Sequence, residues 1–215
     1  MQKRKMVTLT VAISATVAFV LWTTLLSFID VQAIGPNGSK VGFATINAFF
    51  HNLTGVHMWL YVITDWLGLV PILIAFGFAV LGLVQWIKRK SLRKVDYSLF
   101  VLGGYYIVVF SIYLLFEYVV INYRPVLING ILEASYPSST TMLVTCFIPT
   151  AIMQFCTRIK SQWVKNAVTF MCLTFMFFMV VGRFISGVHW FSDIIGGLLL
   201  SVGLVTTYHY FVFDK

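Results

Sequence analysis

His189 and Asp193 stand four residues apart, the spacing that brings two side chains onto one face of a helix. A carboxylate so placed can hold an imidazole in one tautomer and stabilise its charged form. The ring nitrogen left neutral can then attack phosphorus. Arg183 lies six residues before His189, and Arg124 lies further upstream. Each guanidinium is a planar fork that can take two phosphate oxygens. Tyr136-Pro137-Ser138-Ser139-Thr140 reads as the start of a helix. Proline loses no bond there, because the first amides of a helix have no partner within it. Ser138, Ser139 and Thr140 then offer hydroxyls and free amides, a ready anion site. Two arginines, a hydroxyl-rich helix start and an oriented histidine suggest phosphoryl transfer through a phosphohistidine.

The composition says what must hold these residues. Of 215 residues, 60% are hydrophobic and only 10% are charged, against about 25% charged in a soluble domain. Too few polar residues remain to cover a soluble surface, so lipid is the solvent. Six stretches are long and apolar enough to cross a bilayer. They run from about Met6 to Ile29, Met58 to Ile87, Ser98 to Ile121, Ser138 to Thr157, Ala167 to Phe184, and Phe191 to Phe213. The expected fold is all-α, a polytopic bundle forming one domain over residues 1–215, with no internal repeat. The first apolar run, about 22 residues, exceeds the roughly 7–15 of a signal-peptide core. It reads as an uncleaved helix despite the weak cleavage-like Val31-Gln32-Ala33. Cys146, Cys156 and Cys172 sit in apolar runs without metal or disulfide spacing, as small hydrophobes.

The net charge of +8 marks orientation and not nucleic-acid binding. Lys3, Arg4 and Lys5 precede the first span, while Lys88, Arg89, Lys90, Arg93 and Lys94 join the second to the third. Arg158, Lys160 and Lys165 join the fourth to the fifth, and Lys215 ends the chain. Positive charge in short loops marks the cytoplasmic side, so both termini are expected there, in contact with anionic lipid. Only Lys40, Arg124 and Arg183 fall on the other side. All three reactive segments therefore meet at the extracytoplasmic face. The long outer loop, Asp30 to His57, holds a turn-rich Ile34–Ser39 stretch and an apolar Val41–Phe50 stretch suited to a short interfacial helix. Asn37-Gly38-Ser39 and Asn52-Leu53-Thr54 match the glycosylation pattern, which matters only in a eukaryotic secretory host.

Arg183-x5-His189-x3-Asp193 resembles the third motif of the type 2 phosphatidic acid phosphatase family, which is related in fold to vanadium haloperoxidases. Arg124-Pro125 resembles the end of its first motif, and Pro137-Ser138-Ser139-Thr140 its second. The resemblance implies an acid phosphatase/haloperoxidase-like helical bundle and a membrane hydrolase; six spans with short tails suit the plasma membrane, in a bacterial cell the inner membrane. The resemblance also implies His189 as nucleophile, Asp193 as its orienter, Arg124, Arg183 and Ser138 as phosphate ligands with Ser139 beside them, a lipid phosphate substrate, and no metal or cofactor. Each of the three motifs departs from the pattern. Glu117 stands where the first motif begins with lysine, Ser139 and Thr140 replace glycine and histidine in the second, and Gly182 replaces serine in the third. The missing histidine is the family's general acid, a role worth about 100- to 10,000-fold.

Two routes around that loss follow. A diphosphate departs as a phosphate ester and needs less protonation than an alkoxide. Alternatively Glu117, one or two turns below Arg124, could be the acid, or could pair with that arginine. Each residue also has a plain structural use. The arginines could snorkel to headgroups, His189 and Asp193 could be an interhelical pair, the hydroxyls could cap a helix, and Asp65 reads as a structural partner. The leading expectation is an outer-leaflet lipid phosphate or diphosphate phosphatase. A non-catalytic relative that binds or moves a phospholipid or isoprenoid phosphate is the alternative. A third, metal-assisted reading would use Glu117, Asp65, Asp193 and His189 as ligands.

Overall fold

A computed structural model describes residues 2–214; Lys215, counted above with the inner basic residues, lies outside them. The described residues form eight α-helices: α1 (Gln2–Leu26), α2 (Ala44–Thr54), α3 (Met58–Leu67), α4 (Leu69–Arg89), α5 (Tyr97–Tyr118), α6 (Ser139–Arg158), α7 (Gln162–Ile185) and α8 (Phe191–Phe213). Six spans are long and apolar enough to cross a membrane, as the hydropathy pattern predicts, because α3 and α4 together make one, Met58–Arg89.

That second span is broken where the sequence predicts a continuous helix. Pro71 has no amide to bond back to Leu67, and the Gly68 amide is shared between the Thr64 and Asp65 carbonyls, both at 3.0 Å. A straight helix of this length would measure about 48 Å, well beyond a hydrocarbon core of about 30 Å. The break at Gly68 leaves α3 to carry Tyr61, Thr64 and Asp65 toward the functional end of the bundle.

α6 lies at the centre, with 61% of its most apolar window buried, and α8 follows with 50%; α1, α3–α4 and α7 bury 17% each and face lipid. α6 is polar on the inside. Thr141, Thr145, Thr150 and Gln154 are all buried, and each of the last three is satisfied. Thr145 Oγ1 bonds to the Thr141 carbonyl at 2.6 Å and to Ser201 Oγ of α8 at 2.6 Å. Thr150 Oγ1 bonds to the Cys146 carbonyl at 3.0 Å. Between membrane helices such contacts replace the hydrophobic drive that lipid removes. α1 closes the other side of α8, and an ion pair of 3.6 Å between Arg4 and Asp214 joins the two ends of the described chain. Arg89 and Arg158 share Asp96 at that same end of the bundle, at 2.9 and 3.7 Å.

The opposite end carries the irregular structure. α2 is the short outer helix, placed three to four residues later than the sequence predicts. Fully buried Asn47 docks it on the start of α8, accepting the Ser192 amide at 3.0 Å and donating to Ser192 Oγ at 2.9 Å. Gly187, in the turn between α7 and α8, has φ +67°, and a Cβ there would fall 1.9 Å from the Gly55 carbonyl oxygen. Backbone cannot swing aside as a side chain can. Gly187→Ala is therefore expected to destabilise the protein by at least about 2 kcal/mol through left-handed strain and overpacking combined. Thermal unfolding in detergent checks this; an unchanged midpoint would contradict it.

Candidate active site

Between α5 and α6 the chain doubles back through isolated antiparallel bridges, Ile128 with Ile131 and Tyr123 with Ala134, a hairpin that no apolar helix pattern announces. Asn129 and Gly130 both take positive φ, 51° and 80°, and Ile128 and Ile131 exchange both backbone bonds at 2.9–3.0 Å. This is the two-residue Asn-Gly turn whose twist matches that of its strands. Further along, the Arg124 amide bonds to the Glu133 carbonyl at 3.1 Å and the Ser135 amide to the Asn122 carbonyl at 2.9 Å. Side chains alternate along a strand, so Asn122, Arg124, Glu133 and Ser135 share one face of the ribbon. That face looks onto His189.

His189 sits in the turn just before α8 and is 4% exposed. Its Nε2 lies 3.1 Å from Arg124 Nη1. Its Nδ1 lies 3.1 Å from both the Ser135 carbonyl and Ser135 Oγ. Arginine only donates, so Nε2 must accept. A carbonyl only accepts, so Nδ1 carries the ring proton. Both contacts give the same tautomer, with a lone pair on Nε2. Asp193 is fully buried; its Oδ2 accepts the Trp190 amide at 2.9 Å and the Ser135 hydroxyl, and lies 3.8 Å from His189 Nδ1. His189 lies in the turn before α8 and Asp193 in the first turn of α8, so the two do not share the helix face that their spacing suggests, and Ser135 stands between them.

Arg183 is 1% exposed. Nη1 donates to the Tyr61 carbonyl and Thr64 Oγ1, both at 3.2 Å, and Nη2 to Asp65 Oδ1 at 3.1 Å. α3 therefore holds it; Asp65 is a structural partner, as the sequence suggests, and the residue it pairs with is Arg183. Arg183 and Arg124 flank the Tyr61 ring, with Cζ 4.7 and 5.8 Å from its centroid. The buried Nε of Arg183 has no hydrogen-bond acceptor. Arg124 Nε is 3.0 Å from Glu133 Oε2, close enough for charge pairing but out of line for a hydrogen bond.

The helix start is less uniform than the sequence implies. Ser138 is fully buried, its hydroxyl donating to Thr141 Oγ1 at 3.0 Å and its amide to the Asp193 carbonyl at 3.1 Å. Ser139 instead lines a small cleft together with Tyr113, Glu117, Ser135 and His189. Thr140 is 8% exposed, with its methyl toward Gly68. Glu117 thus lies on the wall of the cleft, while the charge partner of Arg124 is Glu133. Among the described residues, no three or more His, Cys, Asp or Glu side chains are grouped to hold a metal ion. Asp65, one of the four in the metal-assisted reading, is turned to Arg183 instead.

Burial pushes the His189 imidazole well below its usual 6.5, and the charges of Arg124 and Arg183 add to this against the Ser135 carbonyl. The ring therefore stays neutral at physiological pH. Any histidine-dependent turnover should keep its acidic limb well below pH 6.5 in a kcat/KM profile. A limb at or above that value would contradict the burial. The unfolded chain takes up this proton below pH 6.5 while the folded one does not. The contribution to stability is thus complete above that pH and declines beneath it.

A polytopic helical membrane protein with one buried, arginine-flanked histidine at the end of its bundle is the class that fold and site define. The chain belongs to the PAP2 superfamily, whose family model matches residues 75–215. All three motif segments fall within that range. The crystal structure of the first transmembrane PAP2 type phosphatidylglycerolphosphate phosphatase from Bacillus subtilis shares the fold. It aligns with a TM-score of 0.60 over 94% of this chain and 95% of its own, at 17% identity. No curated protein sequence matches the chain.

Proposed function

We propose that this protein is a lipid phosphate phosphatase acting at the outer leaflet through a phosphohistidine on His189. Membership of the PAP2 superfamily and a fold shared with a phosphatidylglycerolphosphate phosphatase support the class of activity. One contact carries the mechanism: His189 Nε2, a lone pair, meets Arg124 Nη1 at 3.1 Å. A phosphoryl oxygen taken by that guanidinium would bring phosphorus to the nucleophile. The P–Nε2 bond then forms as the bridging P–O bond breaks and its electron pair leaves on the departing oxygen, as a lipid phosphate from a diphosphate or as an alkoxide that takes up a proton from a monoester. Water next attacks phosphorus, the P–N bond breaks, and inorganic phosphate leaves. Arg124 and Arg183 offset the charge on the equatorial oxygens, the main contribution a protein makes to phosphoryl transfer. Basic residues crowd the opposite end of the bundle, so the positive-inside rule puts the site on the extracytoplasmic side.

The leaving group sets the substrate. Thr140 stands where relatives place an acidic histidine and faces Gly68. A lipid diphosphate, which departs as a phosphate ester, suits such a site better than a monoester. Glu117, on the cleft wall, is the acid if a monoester turns over. The same changes favour a second reading, a relative that binds or moves a lipid phosphate without cleaving it. Purified protein in detergent with chelator, given lipid mono- and diphosphates, separates these readings. Release faster from the diphosphate is expected. Faster monoester turnover, abolished in Glu117→Gln, would assign the acid to Glu117 instead. Binding without release would establish the second reading, and release restored only by a divalent ion would overturn both.

A further inference from the structure

Asp193 Oδ2 is 3.8 Å from His189 Nδ1, beyond hydrogen-bond reach. The group that does reach both is Ser135, whose Oγ is 3.1 Å from Nδ1 and bonded to Oδ2. We propose that Ser135 is a positioning residue that relays the Asp193 carboxylate to the nucleophilic imidazole. This rests on the phosphatase reading above.

The proton directions allow one arrangement. An ionised carboxylate only accepts, so the Ser135 hydroxyl gives its proton to Oδ2. Its lone pairs are then turned to Nδ1–H, which the Ser135 carbonyl also accepts at 3.1 Å. One residue thus receives the ring proton on both its hydroxyl and its carbonyl. The serine itself is fixed. It is 2% exposed, and its amide donates to the Asn122 carbonyl at 2.9 Å. The Asn122 side chain in turn reaches Asp193 Oδ1 at 3.5 Å and accepts the Gly42 amide at 3.2 Å. The hairpin, the outer loop and α8 are therefore tied together through this one cluster. A purely structural serine would satisfy Oδ2 and leave the ring to the carbonyl alone.

Removing the hydroxyl separates these roles, because Ser135→Ala keeps the carbonyl. The relay predicts that kcat for a lipid phosphate falls about 10- to 100-fold, the scale seen when a hydrogen-bond partner that orients a metal-bound histidine is lost, with KM within about threefold. Ser135→Gly should behave likewise. Asp193→Asn should lose as much or more, and the double variant Ser135→Ala/Asp193→Asn no more than the worse single one, since both cut the same path. Orthovanadate, which takes a fifth ligand from a nitrogen base as a transferring phosphoryl group does, gives a readout without turnover: binding should weaken in the same order. If wild-type protein releases phosphate through His189 while Ser135→Ala keeps its kcat, or if the two losses multiply in the double variant, the relay is overturned and the phosphatase reading stands. If wild-type protein neither releases phosphate nor binds vanadate, both fall.

Discussion

Replacing His189 with alanine is expected to abolish phosphate release, by at least about 10,000-fold, the scale seen when a covalent nucleophile is removed. His189 supplies the only imidazole lining the cleft among the described residues, and its tautomer puts the lone pair on Nε2, which Arg124 gives up to phosphorus when the guanidinium turns to a phosphoryl oxygen. The other cleft side chains that carry oxygen are Tyr113, Glu117, Ser135, Tyr136 and Ser139; the Ser135 hydroxyl is committed to Asp193 and the Tyr136 hydroxyl to Thr23, whereas His189 Nε2 is the group that meets an arginine. The fold should tolerate the change. Arg124 keeps its charge pairing with Glu133 at 3.0 Å, and Asp193 keeps its donors. Phosphate release and elution as a folded species in detergent are the two measurements. Release within tenfold of wild type in a folded His189→Ala protein would remove histidine from the mechanism.

Arg124→Gln carries the second largest effect, about 100- to 1,000-fold in kcat, the cost of losing one donor aimed at developing charge. Arg124 stands at the junction of every part of the site. It faces His189 Nε2 at 3.1 Å, Glu133 at 3.0 Å and the Tyr61 ring at 5.8 Å. A second signature follows from its charge, which helps hold the His189 imidazole below its ordinary value. Without that charge, the acidic limb of any residual activity should move to higher pH. Arg124→Lys keeps the charge and loses the fork, so it should lose rate while holding the limb in place. A Gln variant with near wild-type kcat and an unmoved limb would mean that Arg124 only meets lipid headgroups.

The spans and the gathering of residues 124, 183 and 189 at one end of the bundle were legible in the sequence, the spans from hydropathy and the gathering from the topology that six spans impose. Even the break in the second span had its proline at position 71. The Asn129-Gly130 hairpin was also written there, between apolar residues on both sides, but 20-residue apolar runs do not announce so short a paired segment. With it went Ser135 and Asn122, which no local spacing links to His189. They reach it only because the hairpin register puts alternate residues on one face. Asp65 was readable as a partner but not as the partner of Arg183, 118 residues away. The helix start was read too generously. Ser138, Ser139 and Thr140 are adjacent, but a helix turns about 100° per residue, so of the three only Ser139 lines the cleft.

The account turns on a covalent bond between phosphorus and His189 Nε2. The direct measurement is to quench wild-type protein during turnover of a 32P-labelled lipid phosphate and map the labelled peptide. The expected result is label on the peptide holding His189, stable to alkali, lost in mild acid as a P–N bond is, and absent from His189→Ala. Steady release of phosphate with no labelled protein at any quench time, or label on a serine, threonine or carboxylate peptide, would contradict it.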